Sequence, residues 1–370
     1  MILMKNVMDI LNINDSLSFL DKNKKVVFVT GVTGQDGSHM VDYLLKNTDH
    51  IIIGGVRRLS IKNHENIKHL ENNQRFKIVN FDLSDAHSIS KIVETIKPDY
   101  FINLAAQTFV GSSWDFPAQT WECNTTGVIH ILEAIKQHKP SCRFYNAGSS
   151  EEYGNVEYIP QDEKHPSKPR SPYGASKSAA RQLVKVYRES YNLYAIQGLL
   201  FNHEGTRRGE EFVTRKITKG VAKIKKSLLE NKAFEPIELG NIEAKRDWSD
   251  AEDFVHGIWL MLNQDKPKEY VLSSNETHTI REFVSLAFKY ANIGGTWHGN
   301  GLNEQFSIST NDYVIYNPKS SVLVKINPKF FRPAEVDLLL GDSTKARTEL
   351  NWSPKCSFEQ LVEKMIKNDL

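Results

Sequence analysis

Short apolar runs alternate with segments of helical periodicity over the first 205 residues of the chain. Runs rich in β-branched residues predict buried strands at 25–30, 50–56, 76–81, 99–105, 142–148 and 194–201. Between them, apolar positions recur at helical spacing over 37–47, 86–97, 116–138 and 175–191. Strands that alternate with helices in this way form parallel sheets covered on both faces. We therefore predict an α/β fold whose main layer is a doubly wound parallel sheet of the Rossmann type.

The pattern changes after residue 205. A basic amphipathic helix is predicted over 212–230, followed by mixed short elements, a loop-rich stretch over 292–330 and a final helix, turn and helix. The basic helix could be a membrane or RNA surface, but its apolar stripe favours a packed helix with a solvated charged face. We expect an N-terminal extension (1–24), a Rossmann domain (25–205) to which a strand and helix near 236–275 return, and a smaller α/β cap (206–235 and 276–370).

Composition excludes several broad classes of function. The 370 residues carry a formal net charge of +2, so charge alone gives no reason to expect a nucleic-acid partner. Cys123, Cys142 and Cys356 match no zinc spacing; we expect reduced thiols and no metal site. No apolar run approaches the length of a membrane span, and residues 1–24 make a poor secretory signal, so we expect a cytoplasmic protein without a membrane partner.

A glycine-rich turn follows the first strand of the predicted Rossmann domain. Gly31, Gly34 and Gly37 are spaced G-x-x-G-x-x-G between that strand and a helix. Glycines let backbone N–H groups approach a pyrophosphate, and a helix N-terminus favours negative charge. The spacing differs from the common G-x-G-x-x-G, but the flanking strand, helix and next strand are all in place. We predict that a dinucleotide contacts Gly31, Thr33, Gly34, Gln35, Asp36 and Gly37.

The end of the second strand usually distinguishes NAD from NADP binding, because an acid there takes the ribose 2′-hydroxyl and an arginine takes a 2′-phosphate. Arg57 and Arg58 occupy this position, so we predict NADP, with either arginine as the phosphate ligand. After the third strand, Asp82 is expected either to meet the adenine edge, beside Leu83, or to cap the next helix.

Tyr173 and Lys177 are four residues apart on a predicted helix and therefore share a face. A phenol is a poor base at neutral pH, and the Lys177 cation is expected to lower the pKa of Tyr173. Ser149 ends the fifth strand, where doubly wound sheets place their chemistry, and could hydrogen-bond the same substrate hydroxyl. These residues predict a hydride-transfer site in which Tyr173 takes an alcohol proton and a cofactor takes the hydride.

Glu151 adds a carboxylate that simple alcohol oxidation does not require. Once C4 of a hexose is a ketone, the C5 proton becomes acidic, and a nearby base can remove it and expel the C6 hydroxyl. Glu151 is placed to be this base. Glu152 should point the opposite way if the segment is extended, so we interpret it as a solvated or structural carboxylate.

Longer strings carry a family resemblance: "TGVTGQDGSHM", "SSEEYG", "PRSPYGASK", "LLFNHEGTRRGEEFVTRKI", "GNIEAKRDWSDAEDFV", "ETHTIREFV" and "FFRPAEVDLLLGDSTKA". From about residue 25 onward, the chain resembles the GDP-mannose 4,6-dehydratase family of extended short-chain dehydrogenase/reductases. The resemblance implies NADP-dependent conversion of GDP-mannose to GDP-4-keto-6-deoxymannose, the first step toward GDP-fucose and GDP-rhamnose. It also implies a tightly bound NADP recycled within each turnover, a homodimer or homotetramer, and a downstream epimerase or reductase.

The same resemblance assigns roles to individual residues. The family's catalytic set falls on Ser149, where Thr is usual, and on Glu151, Tyr173 and Lys177. The nicotinamide side of the cofactor would contact Leu104, Ala105, Ala106, Gln107, Thr108, His203 and Arg208, the last of these able to reach it from a neighbouring subunit. The nucleotide sugar would contact Ser149, Asn202, Lys216, Arg246, Arg332 and Glu335, whose three cations suit a diphosphate.

Other functions stay open on the sequence. A dTDP-glucose dehydratase is similar but carries an Asp-Glu pair in the catalytic loop, where residues 150 and 151 are Ser and Glu. Hexose 4-epimerases need no base at the Glu151 position. A non-catalytic NADP-binding regulator tends to lose the tyrosine or the lysine, whereas this chain keeps Tyr173 and Lys177.

Overall fold

The computed structural model describes residues 10–11, 21, 23–60, 63–312, 320–331, 334, 336 and 338–370. The strands are β1 (Ile10–Leu11), β2 (Val26–Thr30), β3 (Ile51–Val56), β4 (Phe76–Asn80), β5 (Tyr100–Asn103), β6 (Arg143–Ala147), β7 (Ala195–Leu200), β8 (Asn202–Glu204), β9 (Ile237–Leu239), β10 (Lys245–Arg246), β11 (Trp248–Asp250), β12 (Val271–Leu272), β13 (His278–Thr279), β14 (Gly295–His298), β15 (Gln305–Ile308) and β16 (Val322–Ile326). The helices are α1 (Gln35–Asn47), α2 (Ala86–Ile96), α3 (Pro117–Trp121), α4 (Gly127–His138), α5 (Pro172–Tyr191), α6 (Val213–Leu229), α7 (Ala251–Leu262), α8 (Ile280–Tyr290), α9 (Thr344–Glu349) and α10 (Phe358–Asp369).

The central sheet has the strand order β1-β4-β3-β2-β5-β6-β7-β12, and every neighbouring pair is parallel. Strands β2 to β7 coincide with the six apolar runs, since strands covered on both faces need apolar side chains throughout. The predicted doubly wound parallel sheet is confirmed. In the N-terminal extension, Ile10 and Leu11 add a short edge strand beside β4.

Two apolar cores cover the two faces of this sheet. One packs Met40, Val41 and Leu44 of α1 with the apolar side of α7. The other contains the apolar positions of α2, α4 and α5, among them Ile89 and Ile131. The helices follow the predicted segments closely, but the segment 116–138 is interrupted. Between α3 and α4 the chain makes a π-helical turn, Glu122–Thr126.

The later part of the chain forms a second core. Helices α6, α8 and α10 pack apolar faces against a four-stranded sheet in the order β14-β15-β16-β9. The expected return of the chain to the central sheet occurs at α7, which packs on α1, and at β12, which pairs with β7. Residues 237–239 instead pair with β16, because their register places Ile237 and Leu239 in the second core. The domain boundaries themselves stay a prediction.

Candidate active site

The glycine-rich turn closes tightly between β2 and α1. Gly31 has a φ of +70°, and a Cβ there would come within 2.9 Å of the backbone of Leu104 and Ala105. A Cβ on Gly37 would collide with the carbonyl oxygen of Gly31, so only glycine fits at both positions. The N-cap residue of α1 is Gly34, which places no side chain over the helix N-terminus. The turn therefore presents backbone amides to an anion, as a dinucleotide cradle requires.

This turn lies where the strand order reverses, because β2 has β3 on one side and β5 on the other. Doubly wound sheets bind ligands at such a point. Thr30, the last residue of β2, accepts hydrogen bonds at Oγ1 from the backbone N–H groups of Leu104 and Ala105, both at 3.0 Å. The predicted nicotinamide-side loop is thus anchored to the glycine-rich turn.

Asp36 and His203 form a half-buried ion pair. His203 Nε2 lies 2.8 Å from Asp36 Oδ2, and His203 Nδ1 lies 2.7 Å from the carbonyl oxygen of Phe201. Burial is the largest influence on both groups and disfavours charge. The partner charges outweigh it, so the pKa of His203 is raised and that of Asp36 lies well below its usual range. His203 therefore supports the turn through Asp36, which Gln35 also holds with a hydrogen bond from Nε2 at 3.0 Å.

The predicted contacts at the ends of β3 and β4 lie on the surface side of the turn. Arg57 and Arg58 follow β3 and are both exposed. Asp82 follows β4 and accepts hydrogen bonds from the backbone N–H and the hydroxyl of Ser84, at 3.0 and 2.8 Å. The cap of α2 is Asp85, whose carboxylate accepts two backbone N–H groups of that helix. The alternative that Asp82 caps this helix is therefore wrong.

The remaining predicted cofactor contacts differ in burial. The carbonyl oxygen of Thr33 accepts a hydrogen bond from Asn66 Nδ2 at 3.0 Å. Leu83 is buried in the core against α2 and α4. Ala106 is half-buried and Thr108 is exposed. These four residues stay predicted contacts.

The serine and tyrosine predicted to be catalytic meet at the carboxyl end of β6. Tyr173 lies in the first turn of α5, which Ser171 caps by accepting the N–H of Gly174 at 3.0 Å. The Ser149 hydroxyl hydrogen-bonds the Tyr173 phenol. Spacing alone predicted that Ser149 and Tyr173 would share one substrate hydroxyl, and their contact supports that interpretation.

The pKa of Tyr173 is raised, whereas the sequence led us to expect that Lys177 would lower it. Burial is the largest influence and raises this pKa above its usual range. The Ser149 hydrogen bond and the Arg208 cation oppose the shift, while Glu151 adds to it. The expected lowering by Lys177 is not found, because desolvation of the phenolate outweighs the nearby cations.

Lys177 is buried one helical turn after Tyr173. Its Nζ donates to the carbonyl oxygen of Ala147 at 2.8 Å and lies 5.9 Å from the centroid of the Tyr173 ring. Burial lowers the pKa of Lys177 to about 8, and the carboxylates of Glu152 and Asp36 oppose this shift. Because Asp36 belongs to the glycine-rich turn, its influence on Lys177 indicates that the predicted cofactor cradle lies near α5.

Glu151 lies in the short 3-10 turn Ser150–Glu152 and is 9% exposed. Its charge acts on the pKa of Tyr173, which places the carboxylate near the phenol. Helix α5 approaches this turn closely, since a Cβ on Gly174 would come within 2.5 Å of the Glu151 carbonyl oxygen. The Glu151 carboxylate, the Ser149 hydroxyl and the Tyr173 phenol therefore lie in the same region of the molecule.

Glu152 points into the interior and is fully buried. Its Oε1 accepts hydrogen bonds from the backbone N–H of Ser149 and from Gln197 Nε2, both at 2.9 Å. Burial raises the pKa of Glu152 to about 7, while the Arg181 cation, hydrogen bonds and the Lys177 cation oppose the shift. The solvated interpretation of Glu152 is wrong, because the segment is a 3-10 turn and not an extended strand.

A family model described as GDP-mannose 4,6 dehydratase matches residues 28–365. The chain belongs to the GDP-mannose 4,6-dehydratase family. A Drosophila melanogaster GDP-mannose 4,6 dehydratase is 45% identical over 358 residues, covering 95% of this chain and 87% of that protein. The Homo sapiens protein of the same name is 40% identical over 359 residues, covering 95% and 93%. The resemblance inferred from the motifs is thereby confirmed.

Solved structures share the fold at lower identity. A dTDP-glucose 4,6-dehydratase from Bacillus anthracis, in complex with NAD, has a TM-score of 0.74 and 20% identity, with 93% of this chain and 96% of that chain covered. RMD from Pseudomonas aeruginosa, complexed with NADPH, has a TM-score of 0.69 and 22% identity, with 93% and 98% covered. The GDP-mannose 4,6-dehydratase family member described here therefore has the architecture of these nucleotide-cofactor proteins.

The substrate contacts that the family pattern predicts are spread over β8, α6 and β10. Asn202 Oδ1 is buried and accepts no hydrogen bond from any described residue. Lys216 lies along a cleft of about 640 Å³, with its Nζ 3.5 Å from the centroid of the Phe330 ring. Arg246 is buried and donates to the carbonyl oxygen of Lys245 at 2.9 Å. Arg332 and Glu335 lie outside the described residues.

Arg208 packs within its own chain. Its Nε lies 3.0 Å from Glu204 Oε2, and its guanidinium lies 3.5 Å from the centroid of the Phe212 ring. Arg208 nevertheless acts electrostatically on both Asp36 and Tyr173. It is therefore close to the predicted site without help from a second subunit, and its role toward the cofactor stays a prediction.

Sequence reasoning missed Asn124, which joins the cofactor loop to the catalytic helix of this dehydratase-family chain. Its Oδ1 accepts the backbone N–H of Gln107 at 2.9 Å, and its Nδ2 donates to the Gln107 carbonyl oxygen at 3.0 Å and to Ser176 Oγ at 3.1 Å. Asn124 lies in the π-helical turn, and such turns are frequent at functional sites. A polar Asn within the predicted helical segment 116–138 was the feature of the sequence that could have indicated this role.

The part of the chain that the structure describes shows neither a metal site nor a membrane-spanning helix. None of its clusters of histidine, cysteine and acidic residues could hold a metal ion. Likewise, none of the described helices has both the length and the apolar character needed to cross a bilayer.

Proposed function

We propose that the protein is a lyase that removes water from GDP-mannose to give GDP-4-keto-6-deoxymannose. The observation that carries the proposal is Glu151, a nearly buried carboxylate near a tyrosine whose phenol is hydrogen-bonded to Ser149. An alcohol dehydrogenase needs the serine, tyrosine and lysine but has no use for that further base. The names of the family model and of the curated relatives agree with this reaction.

The cofactor that fits the site is NADP. The cradle at Gly31 and Gly37 leaves no room for side chains, and the α1 N-terminus is open to a pyrophosphate. Arg57 and Arg58 are exposed at the position that reads the ribose 2′ substituent, and their guanidinium groups suit a 2′-phosphate. When bound, the nicotinamide would accept a hydride from C4 of the sugar and later return it to C6.

The protein's own residues supply the proton transfers. Tyr173 accepts the proton of the C4 hydroxyl, and Ser149 hydrogen-bonds that oxygen. Because burial raises the pKa of Tyr173, the phenolate depends on positive charge nearby, which Arg208 supplies and which an oxidised nicotinamide would increase. Glu151 then removes the C5 proton, whose acidity comes from the adjacent ketone, and the C6 hydroxyl takes a proton from Glu151 or Tyr173 and leaves as water. The proton still held by the other of these two residues returns to C5 when the hydride is delivered to C6. Net oxidation is zero, so one bound cofactor serves repeated turnovers.

Replacing Glu151 by Gln tests this assignment. The purified wild type, given GDP-mannose and no added cofactor, should form a product lighter by one water. We expect Glu151→Gln to lower kcat by about 10²- to 10⁴-fold, because a general base is lost while the cradle is kept. Mass spectrometry measures the product, and nucleotide released on denaturation should be NADP in both proteins.

The matched control is Glu157→Gln on the same loop, where an exposed carboxylate pairs with Lys168 outside the proposed site. Its kcat should stay within about twofold of wild type. Full activity in Glu151→Gln would remove the proposed base. Dehydration of UDP-glucose or dTDP-glucose in place of GDP-mannose would overturn the substrate assignment.

Exposed apolar side chains and free cysteines bear on the partners and the location of the protein. Val186 and Tyr191 expose apolar side chains on α5, which suits a homodimer or homotetramer. The reactive keto sugar requires an epimerase or reductase downstream. We propose that both proteins work in the cytoplasm, where free cysteines such as Cys123 stay reduced.

A further inference from the structure

A chain of buried polar side chains crosses the central sheet beside the active site. Thr30 Oγ1 donates to Asn103 Oδ1 at 2.7 Å, and Asn103 Nδ2 donates to Asn146 Oδ1 at 2.8 Å. Asn146 Nδ2 donates to Gln197 Oε1 at 2.6 Å, and Gln197 Nε2 donates to Glu152 Oε1 at 2.9 Å. None of these five side chains is more than 3% exposed, so solvent does not compete for the bonds.

Each hydrogen bond in this chain has a fixed direction. An ionised carboxylate only accepts, so Glu152 requires the amide nitrogen of Gln197 to face it. Gln197, Asn146 and Asn103 must then each accept through oxygen on the opposite side. At the far end, Thr30 gives its hydroxyl proton to Asn103 and keeps its lone pairs for the N–H groups of Leu104 and Ala105. Gln197 Nε2 also donates to the Lys177 carbonyl oxygen at 3.1 Å, so the Glu152 carboxylate and this carbonyl together set the orientation of the bonds that anchor the cofactor loop.

Glu152 is also placed to act on the catalytic groups directly. It accepts the backbone N–H of Ser149, and its charge acts on Lys177. The charged and titratable groups that face it come from several elements: Tyr173, Lys177 and Arg181 on α5, Tyr145 on β6, and Tyr153 after the 3-10 turn. Its second oxygen, Oε2, is buried and accepts no hydrogen bond from any described residue.

We propose that Glu152 is a positioning residue of this active site. Its buried carboxylate holds the Ser149 backbone, orients the polar chain to the Leu104–Ala105 loop and keeps Lys177 in the ammonium form. A purely structural residue would also hold the backbone, but it would not link catalysis to its own charge. The kinetic part of this inference rests on the proposed dehydratase function.

The charge of Glu152 predicts the direction in which the pH profile of kcat should move when this charge is removed. Lys177 has a pKa lowered by burial, and Glu152 opposes that shift, so removing the negative charge lets Lys177 lose its proton at lower pH. In Glu152→Gln, the alkaline limb of the kcat profile should move down by about 1 pH unit. The ratio of kcat at pH 8.5 to kcat at pH 6.5 should fall roughly sixfold relative to wild type.

The matched control is Glu163→Gln. Glu163 is also a partly buried carboxylate, but its Oε1 accepts the backbone N–H of Val271, away from Lys177. Its ratio of kcat values should equal that of wild type. A loss of kcat in Glu152→Gln that is equal at all pH values would overturn the proposal. If Glu152→Gln does not fold, the same ratio of kcat values is measured in Gln197→Leu. Loss of the Gln197 hydrogen bond makes Glu152 harder to ionise, so this ratio should also fall relative to wild type.

A second readout does not depend on activity. The pKa of Glu152 is raised from the usual 4.5 to about 7 in the folded protein, so the folded state gains stability from protonation and loses it as pH rises through 7. The fall of the urea midpoint between pH 5 and pH 7.5 should be smaller in Glu152→Gln than in wild type. An equal fall would show that Glu152 is not the buried titrating group. If the wild type leaves GDP-mannose intact and the two proteins still differ in the pH dependence of the urea midpoint, the proposed function is refuted but the role of Glu152 as a buried titrating group is not.

Discussion

Gly37 is the residue of the glycine-rich turn with the least space around it. A Cβ at this position would meet the carbonyl oxygen of Gly31, its carbonyl carbon and the Cα of Val32. All three are backbone atoms, so relief requires the turn itself to move. Because Gly31 also carries the left-handed φ, the strain would be passed to the residue that shapes the cradle.

Gly37→Ala should therefore lower the free energy of unfolding by ~2 kcal/mol through overpacking, and should weaken NADP binding. Urea unfolding and cofactor titration measure the two effects. Gly205→Ala is the control, because its nearest neighbours would lie 3.6 to 4.0 Å from the new Cβ. It should stay within ~0.5 kcal/mol of wild type. Equal stability of the two variants would contradict the close packing of the turn.

Sequence spacing predicts a catalytic set of Ser149, Glu151, Tyr173 and Lys177, because motif, strand end and helix face coincide there, and these roles stay predictions. It was not enough for their pKa values. The raised pKa of Tyr173 and the value of about 7 for Glu152 come from burial, which depends on atoms far away along the chain. Gln197 lies 45 residues from Glu152 in sequence, so no local sequence pattern predicts their hydrogen bond.

At the scale of elements, the π-helical turn between α3 and α4 is the main departure from the predicted helix over 116–138. This turn contains Asn124, which is 2% exposed. Its amide satisfies both backbone groups of Gln107 and also reaches α5. Apolar periodicity could not reveal this break, since the apolar face of α4 resumes after it.

Asn124→Ala should leave the Gln107 N–H and carbonyl groups without this partner. We expect the free energy of unfolding to fall by about 2 kcal/mol and kcat to fall with it, because the loop after β5 loses its link to α5. Chemical denaturation and the dehydratase assay measure these changes. Thr126→Ala, in the same π-helical turn, is the control. Indistinguishable stability and kcat in the two variants would show that the link is unimportant.

At the scale of the whole molecule, an acid at the end of the last helix adds an ion pair to the apolar packing of that helix in the second core. Asp369 is fully buried at the end of α10, with Oδ1 2.7 Å from Arg215 Nη1 and Oδ2 accepting the Thr218 hydroxyl at 2.7 Å. Arg215 is itself buried in α6. Two helices that are about 150 positions apart in the chain are therefore fixed to each other by this contact.

Asp369→Ala should lower the free energy of unfolding by about 3 kcal/mol, because it leaves the buried Arg215 cation without its carboxylate. Thermal and urea unfolding test this. Glu363→Ala on the same helix removes an exposed pair with Lys367 and should change stability by less than ~0.5 kcal/mol. A small effect at Asp369 would mean that water replaces the lost partner.

The overall layout was predictable only in part. Alternating apolar runs specify strands β2 to β7, because each lies buried between helices. They do not specify that Ile237–Leu239 joins the second sheet, since three apolar-alternating residues fit either sheet. That choice is made by long-range packing against α6 and β16.

Strand β12 has a consequence for any attempt to divide the protein. It covers the edge of β7, yet it arrives about 70 residues later in the chain, after α6 and α7. A fragment that stops at residue 205 would expose the backbone donors and acceptors of β7 to other molecules, and such open edges promote aggregation. We expect split or truncated forms to be recovered as insoluble material unless the missing strand is supplied in trans.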